Sequence, residues 1–280
     1  MKYHLPKTQG RPANSKDSRG SMARRAFALP IFILALIVAF SAAVRLANAA
    51  EADAIDRKAI ENIVREYLLA NPEVIQDALA ELEKRAEKER ADARAMVLQT
   101  AEDELLRSPA DVVLGNPDGS VTLVEFFDFN CGYCKRALPD VQKLVAADPG
   151  LRVVLKDFPI LGPGSVEAAK VALALNAQSD QSQRAEFHTR LLETQGQING
   201  SRAMKIAQDM GFDIDKLEMG VKDPLVQAAI DRNIALAQKL GLTGTPSFII
   251  GSNIIEGAVG VSALQDAIKT ARDCDGAVSC

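Results

Sequence analysis

The pattern of apolar and polar positions predicts a long helical region ahead of a mixed α/β region. Residues 51–107 contain no Gly and are rich in Ala, Glu, Arg and Leu, which favours helix nearly throughout. Asn71-Pro72 interrupts this region, since Asn can cap a new helix and Pro suits its first position. Apolar stripes lie on both sides of the break, and alternating charges fill residues 81–94. The stripes either pack on the chain's own domain or join several copies, and the charged spacer favours self-association.

The next segment has the pattern of a strand–helix–strand unit. Val121–Phe127 is an apolar run broken mainly by Glu125, as expected for a buried central strand. A helical pattern follows Cys131, and Leu151–Leu155 has the composition of a second strand. Two strands joined by one helix predict the start of a parallel sheet.

The rest of the chain completes an α/β domain. Helical patterns occupy Val166–Ala177, Arg184–Thr194, Arg202–Met210 and Leu225–Leu240. Gly244–Gly257 then predicts two short antiparallel strands, and Val261–Ala271 a last helix. We therefore expect a domain over residues 109–273 with a helical insertion at about 163–240, a helical stalk and linker over 50–108, and a tail over 274–280.

Residues 1–49 have the features of a targeting segment. Arg24 and Arg25 precede an apolar run of about 19 residues, and Ala47-Asn48-Ala49 has the form of a signal-peptidase site. This favours export to the periplasm with cleavage near Ala49. An uncleaved membrane anchor is the alternative, because the run is about long enough to span a bilayer. Translation starting at Met22 instead of Met1 is compatible with the same features.

The net charge of the chain argues against nucleic acid as a partner. Without residues 1–49, the chain carries 25 Lys and Arg against 36 Asp and Glu, a net charge of about −11. An acidic exported protein with no basic patch is a poor candidate for nucleic-acid binding.

The two cysteines of Cys131-Gly-Tyr-Cys134 stand between a buried strand and a helix start. A helix N-terminus presents unpaired N–H groups and the positive end of the helix dipole, which lower the pKa of a thiol there. Cys131 is therefore the expected attacking nucleophile, and Cys134, one turn on, the resolving thiol.

Other chemistries fit the residues less well. A zinc site needs a second matching pair of ligands, and Cys274-x5-Cys280 has the wrong spacing, so no metal site is expected. A cysteine hydrolase needs a base, and His188 lies on a predicted helix as a packing residue. A purely structural disulfide across two residues closes almost no chain. Cu(I) binding by the two thiolates remains an alternative of another class, as does a structural oligomer with a vestigial pair.

The stretches VEFFDFNCGYCKR and GTPSF resemble the DsbA-like branch of the thioredoxin superfamily. With the N-terminal helical region, residues 55–272 resemble the trimeric suppressor-of-copper-sensitivity C proteins (ScsC) and related exported disulfide isomerases. The resemblance implies a thioredoxin fold with a helical insertion, preceded by a helical oligomerisation region. It implies no cofactor.

The resemblance also assigns roles to residues. Thr245 and Pro246 match the family's cis-proline loop, which would present the Thr245 backbone to an extended substrate; an ordinary trans proline is the alternative. Glu125 matches a buried carboxylate that exchanges a proton with Cys134, whereas a strand glutamate could also face solvent. Gly132-Tyr133 matches the dipeptide that tunes the redox potential. We expect Cys274 and Cys280 to pair, with free or regulatory thiols as the alternative.

These features together predict an exported thiol–disulfide interchange protein that isomerises wrong disulfides in periplasmic proteins. Its expected partners are unfolded or misoxidised exported proteins, a membrane thiol reductase and further copies of itself, with a trimer favoured over a dimer. A DsbA-type disulfide donor is the same-class alternative. The sequence leaves open the redox potential, the substrates and the identity of the redox partner.

Overall fold

The computed structural model describes residues 28–273, with side chains described for 36–45 and 57–273. Contacts divide the chain between Glu81 and Leu82 into two compact units. The helices are α1 (Ala28–Ala70), α2 (Glu73–Thr100), α3 (Glu102–Leu106), α4 (Gly132–Ala147), α5 (Pro163–Ala174), α6 (Gln181–Glu193), α7 (Gly200–Asp209), α8 (Ile214–Gly220), α9 (Pro224–Lys239) and α10 (Val261–Asp273). The strands are β1 (Val112–Gly115), β2 (Val121–Phe127), β3 (Leu151–Asp157), β4 (Ser247–Ile250) and β5 (Asn253–Glu256).

The first unit consists of α1 and the beginning of α2. Helix ends at Ala70 and resumes at Glu73, so the predicted interruption at Asn71-Pro72 is confirmed. The Asn71 side-chain amide donates to the Tyr67 carbonyl, 2.9 Å away. No described helix is long and apolar enough to cross a membrane.

The second unit is built on a mixed five-stranded sheet with the order β1-β3-β2-β4-β5. The two central strands, β2 and β3, are parallel, and every other neighbouring pair is antiparallel. The predicted strand–helix–strand unit and the predicted pair of short antiparallel strands are both present. The sheet and its helices form a thioredoxin-like fold.

Alternation along the central strands separates two cores. Leu123 of β2 and Val153 of β3 join a large core with α4, the insertion helices and α10. Val124 and Val154 join a smaller core, because successive strand residues point to opposite faces. Leu98 at the end of α2 lies in this second core. The last part of the expected stalk therefore packs against the sheet of the second unit.

A buried ion pair fastens the α3 segment to β3. The Lys156 ammonium lies 2.7 Å from an Asp111 carboxylate oxygen, and both side chains are almost fully buried. Lys156 also donates to the Glu104 carbonyl, and Arg152 donates to the Leu106 carbonyl, 2.7 Å away. Burial raises the pKa of Asp111 to about 6, against the opposing effect of Lys156. These contacts fix where the chain enters the sheet.

The helical insertion lies between β3 and β4. Four of its helices, α5, α6, α7 and α9, match the predicted ones within a few residues, and a 3₁₀ turn, Leu175–Gln178, extends α5. The short helix α8 was not predicted from the sequence. Asp213 caps it by accepting from the Lys216 N–H, and Leu217 is its buried residue.

Candidate functional site

The start of α4 presents the two cysteines at the end of β2. Cys131 is the N-cap residue of α4, and its N–H donates to the Asp128 carbonyl, 3.0 Å away. Cys134 lies one turn further and is completely buried, whereas Cys131 is 5% exposed. Neither cysteine is in a disulfide. The fold therefore offers one thiol near the surface and one behind it.

The antiparallel register of β2 and β4 brings a distant segment to these thiols. Phe126 lies opposite Ser247, so Thr245 and Pro246, just before β4, lie next to the start of α4. The Thr245–Pro246 peptide bond is cis. When Cys131 is protonated, its thiol donates to the Thr245 carbonyl over 3.1 Å. The structure therefore brings together both sequence-predicted segments, although their assigned roles stay predictions.

The two thiols have opposite electrostatic environments. A hydrogen bond from the Cys134 thiol, then the Thr245 side chain and the N–H groups of Cys134 and Tyr133, lower the pKa of Cys131 from 9.0 to about 5 against the effect of burial. Burial first, and then donation of its hydrogen to Cys131, raise the pKa of Cys134 far above its ordinary value. At neutral pH this dithiol therefore carries one charge, on the sulfur of Cys131.

Glu125 lies beneath the thiols. It is 3% exposed, which excludes the alternative of a strand glutamate facing solvent. Within the described part of the chain its Oε1 has no hydrogen-bond partner. Burial, followed by the charge of Cys131, raises the pKa of Glu125 to about 8. A carboxyl group with this pKa can hold or release a proton close to neutral pH.

The dipeptide between the cysteines faces solvent. Tyr133 is 57% exposed, and Gly132 is exposed as well. The guanidinium carbon of Arg136 lies 4.1 Å from the centre of the Tyr133 ring, a cation–π contact. Tyr133 and Arg136 thus form a cation–π pair on the exposed side of α4.

Two residues that the sequence analysis did not single out hold the flanks of the cysteine pair. Asn130 precedes Cys131 and Lys135 follows Cys134, and both hydrogen-bond to the segment between α6 and α7. No local sequence pattern predicts these contacts, because the bonded residues of the segment lie 59 to 68 positions after Asn130 or Lys135 in the chain.

His188 is a packing residue, as the sequence indicated. It is buried. The centre of its ring lies 4.5 Å from the centre of the Phe127 ring, edge-on, and 5.6 Å from the centre of the Phe129 ring, tilted. Burial lowers the pKa of His188 to about 3, so the imidazole is neutral.

The remaining site predictions have different outcomes. Cys274 and Cys280 lie outside the described residues, so their expected pairing stays a prediction. In the part of the chain that the structure describes, no three His, Cys, Asp or Glu side chains gather as a metal site would require.

Comparison with known proteins places both regions of the chain. A profile of the DSBA-like thioredoxin domain matches residues 122–269, more than half of the chain. A profile of the copper resistance protein ScsC N-terminal domain matches residues 56–89. One profile therefore matches part of the N-terminal helical region, and the other matches most of the thioredoxin-like region.

Relatives extend this similarity. A thioredoxin-like oxidoreductase from Silicibacter pomeroyi DSS-3 is 46% identical, with 61% of this chain and 97% of that chain covered and a TM-score of 0.58. Proteus mirabilis ScsC in a transitional conformation is 27% identical, with 78% and 97% covered and a TM-score of 0.57. The Na(+)/H(+) antiporter NhaA 1 of Salinispora arenicola is 29% identical over 163 residues, which make up 58% of this chain. Those residues cover 24% of the antiporter, so the chain spans about a quarter of the length of such curated relatives.

Proposed function

The chain belongs to the DSBA-like thioredoxin family, and we propose that it is an exported thiol–disulfide interchange protein whose main activity is disulfide isomerisation. One observation carries the exchange chemistry: the Cys131 thiol stands at the start of α4, 3.1 Å from the Thr245 carbonyl, with its pKa lowered to about 5. A thiolate at neutral pH is the species that attacks a disulfide.

The reaction begins when the Cys131 thiolate attacks one sulfur of a substrate disulfide. An S–S bond forms between Cys131 and the substrate while the substrate's own disulfide breaks and releases a thiolate. In isomerisation, a substrate thiolate other than the one just released attacks the substrate sulfur of the mixed disulfide. A new substrate disulfide forms, the bond to Cys131 breaks, and Cys131 leaves as the thiolate. The number of disulfides is conserved, so this route consumes no oxidant or reductant.

Cys134 resolves the mixed disulfide when the substrate does not rearrange. Its thiol must lose a proton before it attacks the Cys131 sulfur, and burial opposes that loss. Glu125 lies beneath the pair with a pKa near neutrality, so we assign it the acceptance of this proton. The product is a reduced substrate and a Cys131–Cys134 disulfide. A membrane thiol reductase then has to supply two electrons to restore the dithiol.

The location and substrates follow from the same proposal. Relatives of the DsbA and ScsC type are periplasmic, and residues 22–49 resemble a cleaved export signal. We propose that unfolded or misoxidised exported proteins dock along the Thr245-Pro246 segment. An extended chain pairing there with the Thr245 backbone would add a strand beside the cysteine pair.

A preference for isomerisation rests on the N-terminal region. Residues 56–89 match the ScsC N-terminal profile, and α1 and α2 expose apolar side chains that self-association would cover. Several dithiols joined in one assembly would surround one misfolded substrate. The contrary observation is the low pKa of Cys131, which stabilises the reduced form and so makes the disulfide more oxidising, favouring a disulfide donor.

Reactivation of scrambled ribonuclease tests the ordering of these two functions. The mature protein, reduced beforehand, is expected to restore ribonuclease activity, and the Cys131→Ser chain is expected to lack this effect. No reactivation, together with rapid oxidation of a reduced substrate by the disulfide form, would assign the protein as a disulfide donor. Absence of both reactions would reject exchange altogether.

A further inference from the structure

The loop between α6 and α7, residues 194–198, lies against both flanks of the cysteine pair. On the upstream flank, the Asn130 side-chain oxygen accepts from the Ile198 N–H over 2.6 Å. The Asn130 amide donates to the Ile198 carbonyl and to the Ser165 hydroxyl, each over 2.9 Å. One side chain thereby joins the residue before Cys131 to two elements of the helical insertion.

Lys135 makes the corresponding contacts on the downstream flank. Its ammonium donates to the Thr194 carbonyl over 2.6 Å and to the Gly196 carbonyl over 3.1 Å. Burial, and then the nearby charge of Arg202, lower the pKa of Lys135. A cation that is partly withdrawn from water for two backbone carbonyls serves a positioning role better than a solubilising one.

The contacts bracket the first turn of α4. The Lys135 N–H donates to the Cys131 carbonyl over 3.1 Å, which closes that turn. Asn130 and Lys135 therefore hold the residues at its beginning and end against one loop. Inside the turn lie the N–H groups of Tyr133 and Cys134 that stabilise the Cys131 thiolate. A hydrogen bond weakens steeply as its angle departs from linearity, so the orientation of this turn matters.

We propose that Asn130 and Lys135 are positioning residues that make the 194–198 loop part of the redox site. Through them the helical insertion holds the first turn of α4 in the orientation that stabilises the Cys131 thiolate. The proposal rests on the proposed exchange function for its meaning, but it concerns a geometry that can be measured without any substrate.

Ultraviolet titration of the thiolate in the reduced full-length protein tests the proposal. Lys135→Met and Asn130→Ala are each expected to raise the midpoint of the low-pH step by about one unit, a roughly tenfold loss of thiolate below the midpoint. A Cys131→Ser chain assigns that step. Lys135→Arg keeps a cationic donor and is expected to recover most of the wild-type midpoint.

Two controls separate the positioning role from other effects. Arg136→Met removes the same charge one residue further, from an exposed side chain that contacts Tyr133. Asn176→Ala removes an amide that donates to the distant Ala110 carbonyl within the same unit. Both controls should leave the midpoint within about 0.3 units of wild type. A shift from Arg136→Met as large as that from Lys135→Met would mean that charge alone acts, and would overturn the proposal.

Amide hydrogen exchange provides an independent readout. Since the buried Ile198 N–H is bonded to Asn130, Asn130→Ala should accelerate its exchange at least tenfold while the core strands stay protected. Faster Ile198 exchange with an unchanged Cys131 midpoint would show a merely structural contact and reject the proposal. If wild type lacks exchange activity, the proposed function fails, but the titration still decides the positioning role.

Discussion

At the residue scale, the negative charge of Cys131 at the start of α4 opposes ionisation of the nearby Glu125 carboxyl group. Hydrogen bonds draw the charge onto Cys131, while Glu125 has Oε1 unpaired among the described residues and its pKa is raised to about 8. Each group therefore adds a pH dependence of its own sign to the stability of the reduced protein.

The lowered pKa of Cys131 stabilises the folded, reduced protein at high pH. This contribution is present in full above the ordinary thiol pKa of 9.0, declines as pH falls, and is gone below about pH 5.

Thr245→Val removes one side-chain hydrogen bond to Cys131 and is expected to raise the midpoint of the Cys131 titration by about half a unit to one unit. Absorbance of the thiolate measures the midpoint. Thr243→Val, two residues earlier on an exposed position, should leave it unchanged.

The raised pKa of Glu125 has the opposite effect. Its cost is absent below the ordinary carboxyl pKa of 4.5, grows as pH rises, and levels off above about pH 8. Glu125→Gln is therefore expected to gain stability relative to wild type between pH 4.5 and 8. From roughly 1.4 kcal/mol per pKa unit, the gain approaches about 3 kcal/mol at pH 7.

Urea unfolding at pH 5 and pH 7.5 checks the Glu125 prediction. The exposed Glu256, on β5, provides a matched Glu256→Gln control for the loss of a surface carboxyl group. A constant difference between Glu125→Gln and wild type at the two pH values would contradict a buried carboxyl with a raised pKa.

At the element scale, the end of α2 is part of the second unit's core. Leu98 is 2% exposed and lies in a cluster with Val124 and Phe126 of β2. Leu98→Ala should lower the free energy of unfolding by about 2–4 kcal/mol, because it leaves a cavity against the sheet. Met96→Ala, at a position 66% exposed, provides the control and should have little effect. Equal small effects from both would show that α2 does not support the sheet.

The sequence predicts the central strands well and the positions of long-range contacts poorly. Val121–Phe127 matches β2 because its apolar run is long and bounded by turn residues. The predicted end of β3 at Leu155 is two residues short. Lys156 looks polar in the sequence but is buried by its ion pair with Asp111, 45 residues earlier. Short α8 was missed because seven residues carry too little periodicity.

The same distinction applies to the candidate site. The cysteine pair and its helix start are readable locally, and the resemblance supplied Thr245-Pro246 and Glu125. Asn130 and Lys135 were missed, since their partners in the 194–198 loop are set by the packing of the helical insertion. Local patterns identify reactive groups, whereas the groups that orient them depend on tertiary contacts.

At the scale of the whole molecule, the described apolar side chains of α1 and α2 favour self-association. In a single chain, seven large apolar side chains of residues 60–79 are exposed to solvent: Ile60, Ile63, Val64, Tyr67, Leu69, Ile75 and Leu79. Apolar side chains exposed in such number on one helical region mark an interaction surface. We therefore expect this region to be covered by further copies of the chain, in a trimer.

The assembly prediction requires variants that leave the second unit intact. Deleting residues 51–107 would also remove Leu98 and Leu105 from the core of that unit. A charged substitution at one exposed apolar position, Ile63→Glu, avoids this damage, because Ile63 is 65% exposed in the single chain. Burying that charge between copies would be costly, so the variant is expected to be monomeric by light scattering under conditions where we expect wild type to be trimeric.

Activity then connects the assembly to the chemistry. The Ile63→Glu chain should keep the Cys131 midpoint and reduce insulin like wild type, because each dithiol is complete in one chain. It should lose most of its reactivation of scrambled ribonuclease, because we propose that isomerisation depends on several dithiols around one substrate. Arg65→Glu, on an exposed polar position of the same helix, should change neither mass nor activity. A monomeric Ile63→Glu chain with full isomerase activity would show that one copy suffices, and that self-association serves another purpose.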